Sequence, residues 1–412
     1  MSMISDSALL KTLKKENFWE HEPDTGIERS LYLQKLQQYI PRKEIIVLKG
    51  IRRCGKSTIM KQLMKRLIKQ SVSKEQLLYI NLESYELRNS HSIELFEKIL
   101  DVYKQHINLN KKIYFFIDEI QVIQQWERFL RTIYDRNEDI KFIVSGSNAS
   151  LLSKELSTLL TGRNITLEIK PLSFEEYKSF TLKPQLGEFQ LFGGFPEVVL
   201  EQNTKLKRTL LEQYFEDILV KDVIQRHSIR NGDNVKNLAK YLIENSGSRF
   251  SFNSLAKALK IDNESVENYI NAMKDAYLFI QVNHFSYSYK RRFDKNIQPK
   301  YYISDNGFFQ IVKTTKQNTG IRFENLIAIH LCQKNTQVMY WLENTEVDFI
   351  TNDSAINVTF DTTDIKEREF QGLLDFKKKY KEFDLQLVTP EKSYETHNSV
   401  KLFSYEEFVS KN

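Results

Sequence analysis

Cysteine, proline and glycine are all scarce in this chain, at 2, 7 and 13 among 412 residues. Two cysteines, Cys54 and Cys332, cannot make a disulfide framework and fit a reducing, cytoplasmic setting. So few breakers leave no room for a low-complexity linker and point to a largely helical α/β protein. No apolar run approaches the ~20 residues that span a bilayer, so no membrane partner is expected. The opening MSMISDSALLKTLKKEN has an early acid and no continuous apolar region, which excludes a secretory signal.

What is present is a folded composition, 41% hydrophobic and 12% aromatic, over a length that calls for two or three domains. The net charge of +6 permits contact with nucleic acid without demanding it.

The short β-branched run EIIVLKG ends at Gly50, IRRCGKST follows, and IMKQLMKRLIKQ then repeats apolar residues at helical spacing. Strand, glycine loop and helix in that order are the context that gives G-x-x-x-x-G-K-[ST] its meaning as a phosphate cradle. The binding set is Gly50, Ile51, Arg52, Arg53, Cys54, Gly55, Lys56, Ser57 and Thr58. Gly50 and Gly55 let successive backbone N–H groups turn toward a β-phosphate, and the positive end of the helix adds to that field. Lys56 supplies a point charge to the β- and γ-phosphates, the Ser57 hydroxyl ligates Mg²⁺, and Thr58 lies nearer the α-phosphate side. Cys54 beside a helix start could be a redox switch, but a small residue at a variable loop position is the preferred reading.

A phosphate loop needs an acidic strand as well. In KKIYFFIDEIQ the run Ile113 to Ile117 reads as a strand buried in a parallel sheet, ending in Asp118 and Glu119. Asp118 would hold Mg²⁺ and Glu119 would orient and polarise the attacking water. A third strand, IKFIVSG, ends in Ser145, Gly146, Ser147 and Asn148 at the carboxyl edge where open sheets bind ligands. One of these four is expected to contact the γ-phosphate or the lytic water, with Asn148 the candidate. A turn of small residues capping the helix LLSKELSTLL is the alternative.

GIRRCGKST, FFIDEIQ, WERFLRTIYD, IVSGSNASLLSKEL, LTGRN, LEIKPLSFEEY and GGFPEVV occur in this order. Together they resemble a large bacterial and archaeal family of AAA-type P-loop ATPases, whose ATPase domain precedes a C-terminal region of unknown function. The resemblance runs from Arg29 to about residue 390. It implies ATP and Mg²⁺ as cofactors, Asp118 and Glu119 as the acidic pair, and Ser145 to Asn148 as the sensor position. Arg163 matches an arginine the family usually carries, which could reach a neighbour's γ-phosphate as a finger and make hydrolysis depend on assembly into a homo-oligomer or on a domain closure; a surface arginine paired with a local carboxylate is the other reading. No guanine-reading N-K-x-D follows, which favours adenine.

Beyond SFEEY, Gly193 and Gly194 mark a turn between helices, and YFEDILVKDVIQRH reads as an amphipathic helix, with Arg226 a candidate sensing arginine of a lid. The stretch from NVKNLAKYLIE through SVENYINAMKDAY to the strands LFIQVNHF and KYYISD has the order of a winged helix. Its third helix offers Glu264, Glu267 and Asp275 against Lys274, a poor phosphate surface. The wing is better placed to meet DNA, with Lys290, Arg291, Arg292 and Lys295 beside Tyr287 and Tyr289. The last hundred residues follow an α–β–β–β–α–β order that resembles restriction-endonuclease-like folds. Glu324 and Asp348 stand where metal-ligating carboxylates would sit, with Glu346 beside them. The E-x-K that such nucleases use to hold metal and polarise water is replaced by Asn357-Val358-Thr359, so cleavage is not expected; Lys366, a few residues on, is the alternative that could substitute for the lysine.

The expected architecture is therefore an α/β chain: a P-loop NTPase parallel sheet with helices on both faces, then a helical/winged-helix module and a small restriction-endonuclease-like domain. The divisions fall at 1–27 (an N-terminal extension), 28–180, 181–235, 236–312 and 313–412. The expected function is a Mg²⁺-dependent ATPase that switches or remodels an unidentified protein or DNA partner. The alternatives are a DNA-binding ATPase in defence or DNA processing, and an ATP-regulated nuclease.

Overall fold

The computed structural model describes residues 3–108, 111–136, 138–147, 160–288, 297–312, 319–334, 337–362, 365–391, 396–397 and 399–411. The chain divides into two compact units, Met1–Ile169 and Lys170–Asn412. Among the described residues no helix is long and apolar enough to cross a membrane.

In the first unit, β1 (Ile45–Lys49), β2 (Leu77–Asn81), β3 (Ile113–Asp118), β4 (Ile140–Gly146) and β5 (Asn164–Glu168) form one sheet. Its order is β2-β3-β4-β1-β5 and every neighbouring pair is parallel. Strands β1 to β4 are buried nearly throughout, which is why they read as apolar runs rather than alternations, whereas the edge strand β5 is mostly not buried. The same unit carries helices α1 (Asp6–Glu16), α2 (Ser30–Tyr39), α3 (Lys56–Lys69), α4 (Glu94–His106) and α5 (Trp126–Asp135). Leu95, Phe96 and Ile99 of α4 and Trp126, Phe129 and Leu130 of α5 pack with Val47, Ile80, Phe115, Ile117 and Phe142 of the strands. The order matters for chemistry. Placing β4 between β1 and β3 sets the end of β4 between the glycine loop and the acidic strand end.

The segment expected to be a mere extension is part of this core. Strand β2 is a sheet edge, and its outward backbone groups need partners. Asn17 supplies two: its amide donates to the Tyr79 carbonyl at 2.8 Å and accepts from the Tyr79 N–H at 2.6 Å. Glu16 accepts from the Asn81 N–H at 3.0 Å, and the Trp19 indole donates to the Leu77 carbonyl at 2.9 Å. Leu9 and Leu13 are buried beneath. The first turns therefore seal an edge that would otherwise invite strand addition.

The second unit carries an eight-stranded mixed sheet. Its strands are β6 (Phe279–His284), β7 (Lys300–Ile303), β8 (Met339–Leu342), β9 (Glu346–Ile350), β10 (Ser354–Val358), β11 (Asp384–Thr389), β12 (Thr396–His397) and β13 (Val400–Ser404). The order is β12-β13-β11-β10-β9-β8-β6-β7. The helix Thr319–Gln333 packs Phe323, Leu326 and Ile327 with Tyr302, Phe349 and Ile356, while Leu373 and Phe376 of the helix Glu367–Lys379 pack with Trp341, Val347 and Leu385. Helices Gly232–Glu244, Phe252–Leu259 and Asn263–Asp275 precede the antiparallel hairpin β6–β7, as the sequence pattern indicates. The division expected at residue 312 is not a break in the sheet: β6 pairs in parallel with β8 through Asn283–Met339 and His284–Tyr340. Two segments read as separate modules thus share one hydrogen-bonded layer, a pairing that local sequence pattern does not encode.

The predicted helix across Tyr214–His227 also differs in detail. The α-helix Thr204–Asp217 passes into π-helical turns over Ile218–Gln225. Within them buried Asp222 faces Arg226 at 3.2 Å.

The glycine pair after residue 192 has a specific structural use. Gly193 has φ +72°, and a Cβ there would lie 1.7 Å from Asp305 Oδ1; one on Gly194 would lie 2.3 Å from the Leu172 carbonyl. Asp305 accepts from the Gly194 N–H at 2.7 Å and the Gly307 N–H at 2.8 Å. Burial pushes its carboxyl up to about 7, against the pull of those two N–H groups. The folded state therefore binds more protons than the unfolded chain between the two carboxyl values. Stability falls as pH rises from ~4 to ~7 and is level above, by up to ~4 kcal/mol for this group. Urea midpoints of the wild type should fall across that window and those of Asp305→Asn should fall less steeply; equal slopes would contradict the assignment.

Candidate active site

The glycine loop leaves β1 and enters α3 through three residues in the left-handed half of backbone space: Gly50 at φ +149°, Arg53 at +68° and Gly55 at +99°. Alternation of this kind turns consecutive N–H groups inward, producing an anion nest. Close packing enforces it. A Cβ on Gly50 would stand 2.0 Å from the Ile169 carbonyl, so only glycine fits. Cys54 is buried and its thiol donates to that same carbonyl at 3.1 Å. Burial pushes the thiol up, the reverse of what a reactive cysteine needs, so Cys54 is a structural wedge.

Arg29, which sequence reasoning did not select, holds the loop from behind. Its guanidinium is buried and donates to the Cys54 carbonyl at 2.9 Å. The Lys56 ammonium donates to the Gly50 and Ile51 carbonyls at 3.0 Å each, so the lysine lies across the cradle. Ser57 is half-buried and Thr58 exposed in the first turn of α3. Arg52 forms a two-pronged ion pair with Glu83, both contacts at 3.0 Å, and Arg53 is exposed.

At the end of β3, Asp118 is fully buried and both its oxygens are held. Tyr79 donates its hydroxyl to Oδ2 at 2.8 Å, and Ser145 donates to Oδ1. Ser145 also accepts from the Glu119 N–H at 3.1 Å. One serine hydroxyl thus fixes the side chain of Asp118 and the backbone of Glu119 together. Glu119 adopts φ +54°, a left-handed conformation uncommon for a side chain of its size, and it accepts from the Gln121 amide at 2.5 Å. Burial raises its carboxyl while the Lys56 ammonium opposes that shift, Asp118 adds to it, and Arg52 lowers it. The two halves of the site, loop and acidic strand, are therefore in electrostatic contact.

The structure brings Gly50 through Thr58 to the carboxyl edge of β1, and Asp118, Glu119 and Ser145 to the carboxyl edges of β3 and β4. Asn148 lies outside the described residues. Arg163 does not join them. It precedes β5, at the amino end of β1, where its carbonyl accepts from the Ile45 N–H, a strand's length or ~15 Å from the loop. There it pairs with Asp135 at 3.1 Å. Tyr79, Arg29 and Gln121 are the residues the sequence did not yield. The one available signal was Tyr79, a hydroxyl in the otherwise apolar LLYI of a buried strand.

A sequence model described as an AAA domain matches residues 42–178, and one described as a domain of unknown function (DUF8612) matches residues 183–319. An uncharacterized protein of Haemophilus influenzae is 31% identical over 375 residues, covering 86% of this chain and 92% of the relative. The uncharacterized protein MJ1544 of Methanocaldococcus jannaschii is 32% identical over 401 residues, covering 90% of this chain and 86% of the relative. Among solved structures, the Walker-type ATPase paby2304 of Pyrococcus abyssi superimposes with a TM-score of 0.51 at 16% identity, over 72% of this chain and 99% of its own. At that identity the likeness is one of fold.

Proposed function

We propose, on the premise that the chain belongs to a bacterial and archaeal family of AAA-domain proteins, that it binds ATP with Mg²⁺ and hydrolyses it to switch a partner between states. The observation that carries this reading is the joint hold on the acidic pair: Ser145 orients Asp118 and Glu119 at once, with the Lys56 ammonium within electrostatic reach of Glu119.

The loop suits a polyphosphate because its left-handed residues Gly50, Arg53 and Gly55 favour inward-turned N–H groups and the start of α3 adds positive potential. Lys56 exchanges two loop carbonyls for phosphate oxygens. The Ser57 hydroxyl and the Asp118 carboxylate are the groups suited to Mg²⁺, and Tyr79 and Ser145 keep Asp118 aimed. When bound, the ion neutralises charge on the phosphate oxygens. Glu119, on its left-handed turn, positions the attacking water and receives its proton. Its raised carboxyl favours that role, since a base that is too weak takes no proton.

A DNA partner draws less support. Tyr289, Lys290, Arg291, Arg292 and Lys295 lie outside the described residues. Lys274 of the third helix is spent on the Gln281 side chain, and Tyr287 donates to Glu382 at 2.6 Å. The deciding experiment is phosphate release from ATP and GTP with Mg²⁺, measured alone and with duplex or single-stranded DNA while particle size is followed by light scattering. ATP turnover that is abolished by EDTA and indifferent to DNA is the expected result. No turnover under any condition would overturn the reading, and DNA stimulation that fades with salt would move the partner to nucleic acid.

A further inference from the structure

The second unit contains a carboxylate cluster of its own. Glu324 comes from the helix Thr319–Gln333, and Glu346 and Asp348 come from β9. The E-x-K position holds Asn357-Val358-Thr359, and the lysine the sequence offers nearby is Lys366. The structure supplies one from elsewhere. Lys300, on the hairpin strand β7, buries its side chain to 4% exposure and points its ammonium into the cluster. Nζ lies 2.6 Å from Glu346 Oε1, 3.6 Å from Glu324 Oε1 and 3.7 Å from Asp348 Oδ1.

Two further observations concern the same place. Asn357 is consumed as a staple: its oxygen accepts from the Asp348 N–H at 3.0 Å and its amide donates to the Glu369 carbonyl at 2.7 Å. It has no freedom to turn toward an ion. The carboxylates are also tethered from outside. Tyr302 donates to Glu324 Oε1 at 2.7 Å, the Val358 N–H donates to Asp348 Oδ2 at 2.9 Å, and Arg249 approaches Glu346 at 3.9 Å. A Cβ on Gly247, which has φ +80°, would meet Glu324 Oε1 at 2.9 Å, so the backbone closes that flank.

We propose that the Lys300 ammonium is the resident cation of this cluster, standing where a divalent ion would have to sit. It ties the β6–β7 hairpin to the helix and to β9, and it leaves this unit without metal-dependent phosphodiester chemistry. Three carboxylates brought together in a partly buried place repel one another unless a cation lies among them, and a lysine on a rigid strand provides that charge without a metal.

The test uses the full chain without nucleotide. Mn²⁺ binding is followed by electron paramagnetic resonance, and melting temperature by circular dichroism. The wild type should show no Mn²⁺ site that Asp348→Asn removes, and its melting temperature should be indifferent to EDTA. Lys300→Met should lower the melting temperature by ~10 °C, because a buried charge partner is lost. Mn²⁺ should then bind and restore part of that shift, whereas Lys300→Arg should keep most of the stability and bind no ion. If Lys300→Met does not fold, the wild-type titration with Asp348→Asn as its control still decides. One Mn²⁺ per wild-type chain lost in Asp348→Asn, or DNA cleavage that Lys300→Met abolishes, would overturn the proposal.

Discussion

Glu119→Gln is expected to leave ATP affinity within about twofold of wild type while slowing turnover by roughly 10³. The substitution keeps the shape and an oxygen that can still accept from Gln121, so the left-handed turn at φ +54° and the Ser145 contact to the backbone N–H remain. What disappears is the capacity to take a proton from water. A transition-state defect of this kind appears in kcat and not in nucleotide affinity. Calorimetric titration with ATP and steady-state phosphate release on the same preparation separate the two. The wild-type profile adds a second check. Because burial raises the Glu119 carboxyl in the free protein, kcat/KM should rise with pH above the ordinary carboxylate range as the base loses its proton. Turnover by Glu119→Gln at the wild-type rate would remove Glu119 from the chemistry.

Lys56→Ala should act at the other step. In the free protein its ammonium bridges the Gly50 and Ile51 carbonyls at 3.0 Å, and a bound polyphosphate takes over those bonds with a stronger, charged acceptor. Losing charge-assisted bonds worth ~3 kcal/mol weakens ATP binding by at least ~100-fold. The loop itself should persist, because Arg29 still holds the Cys54 carbonyl and Cys54 still packs on Ile169. The measurement is therefore ATP affinity beside a melting temperature. Loss of binding with melting preserved is expected, and unchanged affinity would deny Lys56 its role. Loss of both would assign Lys56 to the fold of the loop.

Much of the site could be read without coordinates. The glycine loop is contiguous in sequence, its backbone demands are local, and a buried parallel strand ending in two acids leaves a clear signature. The groups that orient those acids are not contiguous. Tyr79 lies on β2 and Ser145 on β4, and they meet at Asp118 because the sheet order places β3 between their strands. Arg163 shows the reverse case, since its distance from the loop is set by which end of β5 it occupies.

In the second unit the helices and strands follow their periodicities, but their association does not. A hairpin read as the end of one module pairs with β8 of the next and carries Lys300 into a cluster whose sequence pattern lacks the E-x-K lysine. The sequence by itself determined the local elements and the phosphate loop, because spacing, glycine and apolar runs act within a few residues. Only the tertiary structure decided what surrounds each carboxylate, because a charge is stabilised by whatever folding brings within a few ångströms, and strand order is fixed by long-range pairing.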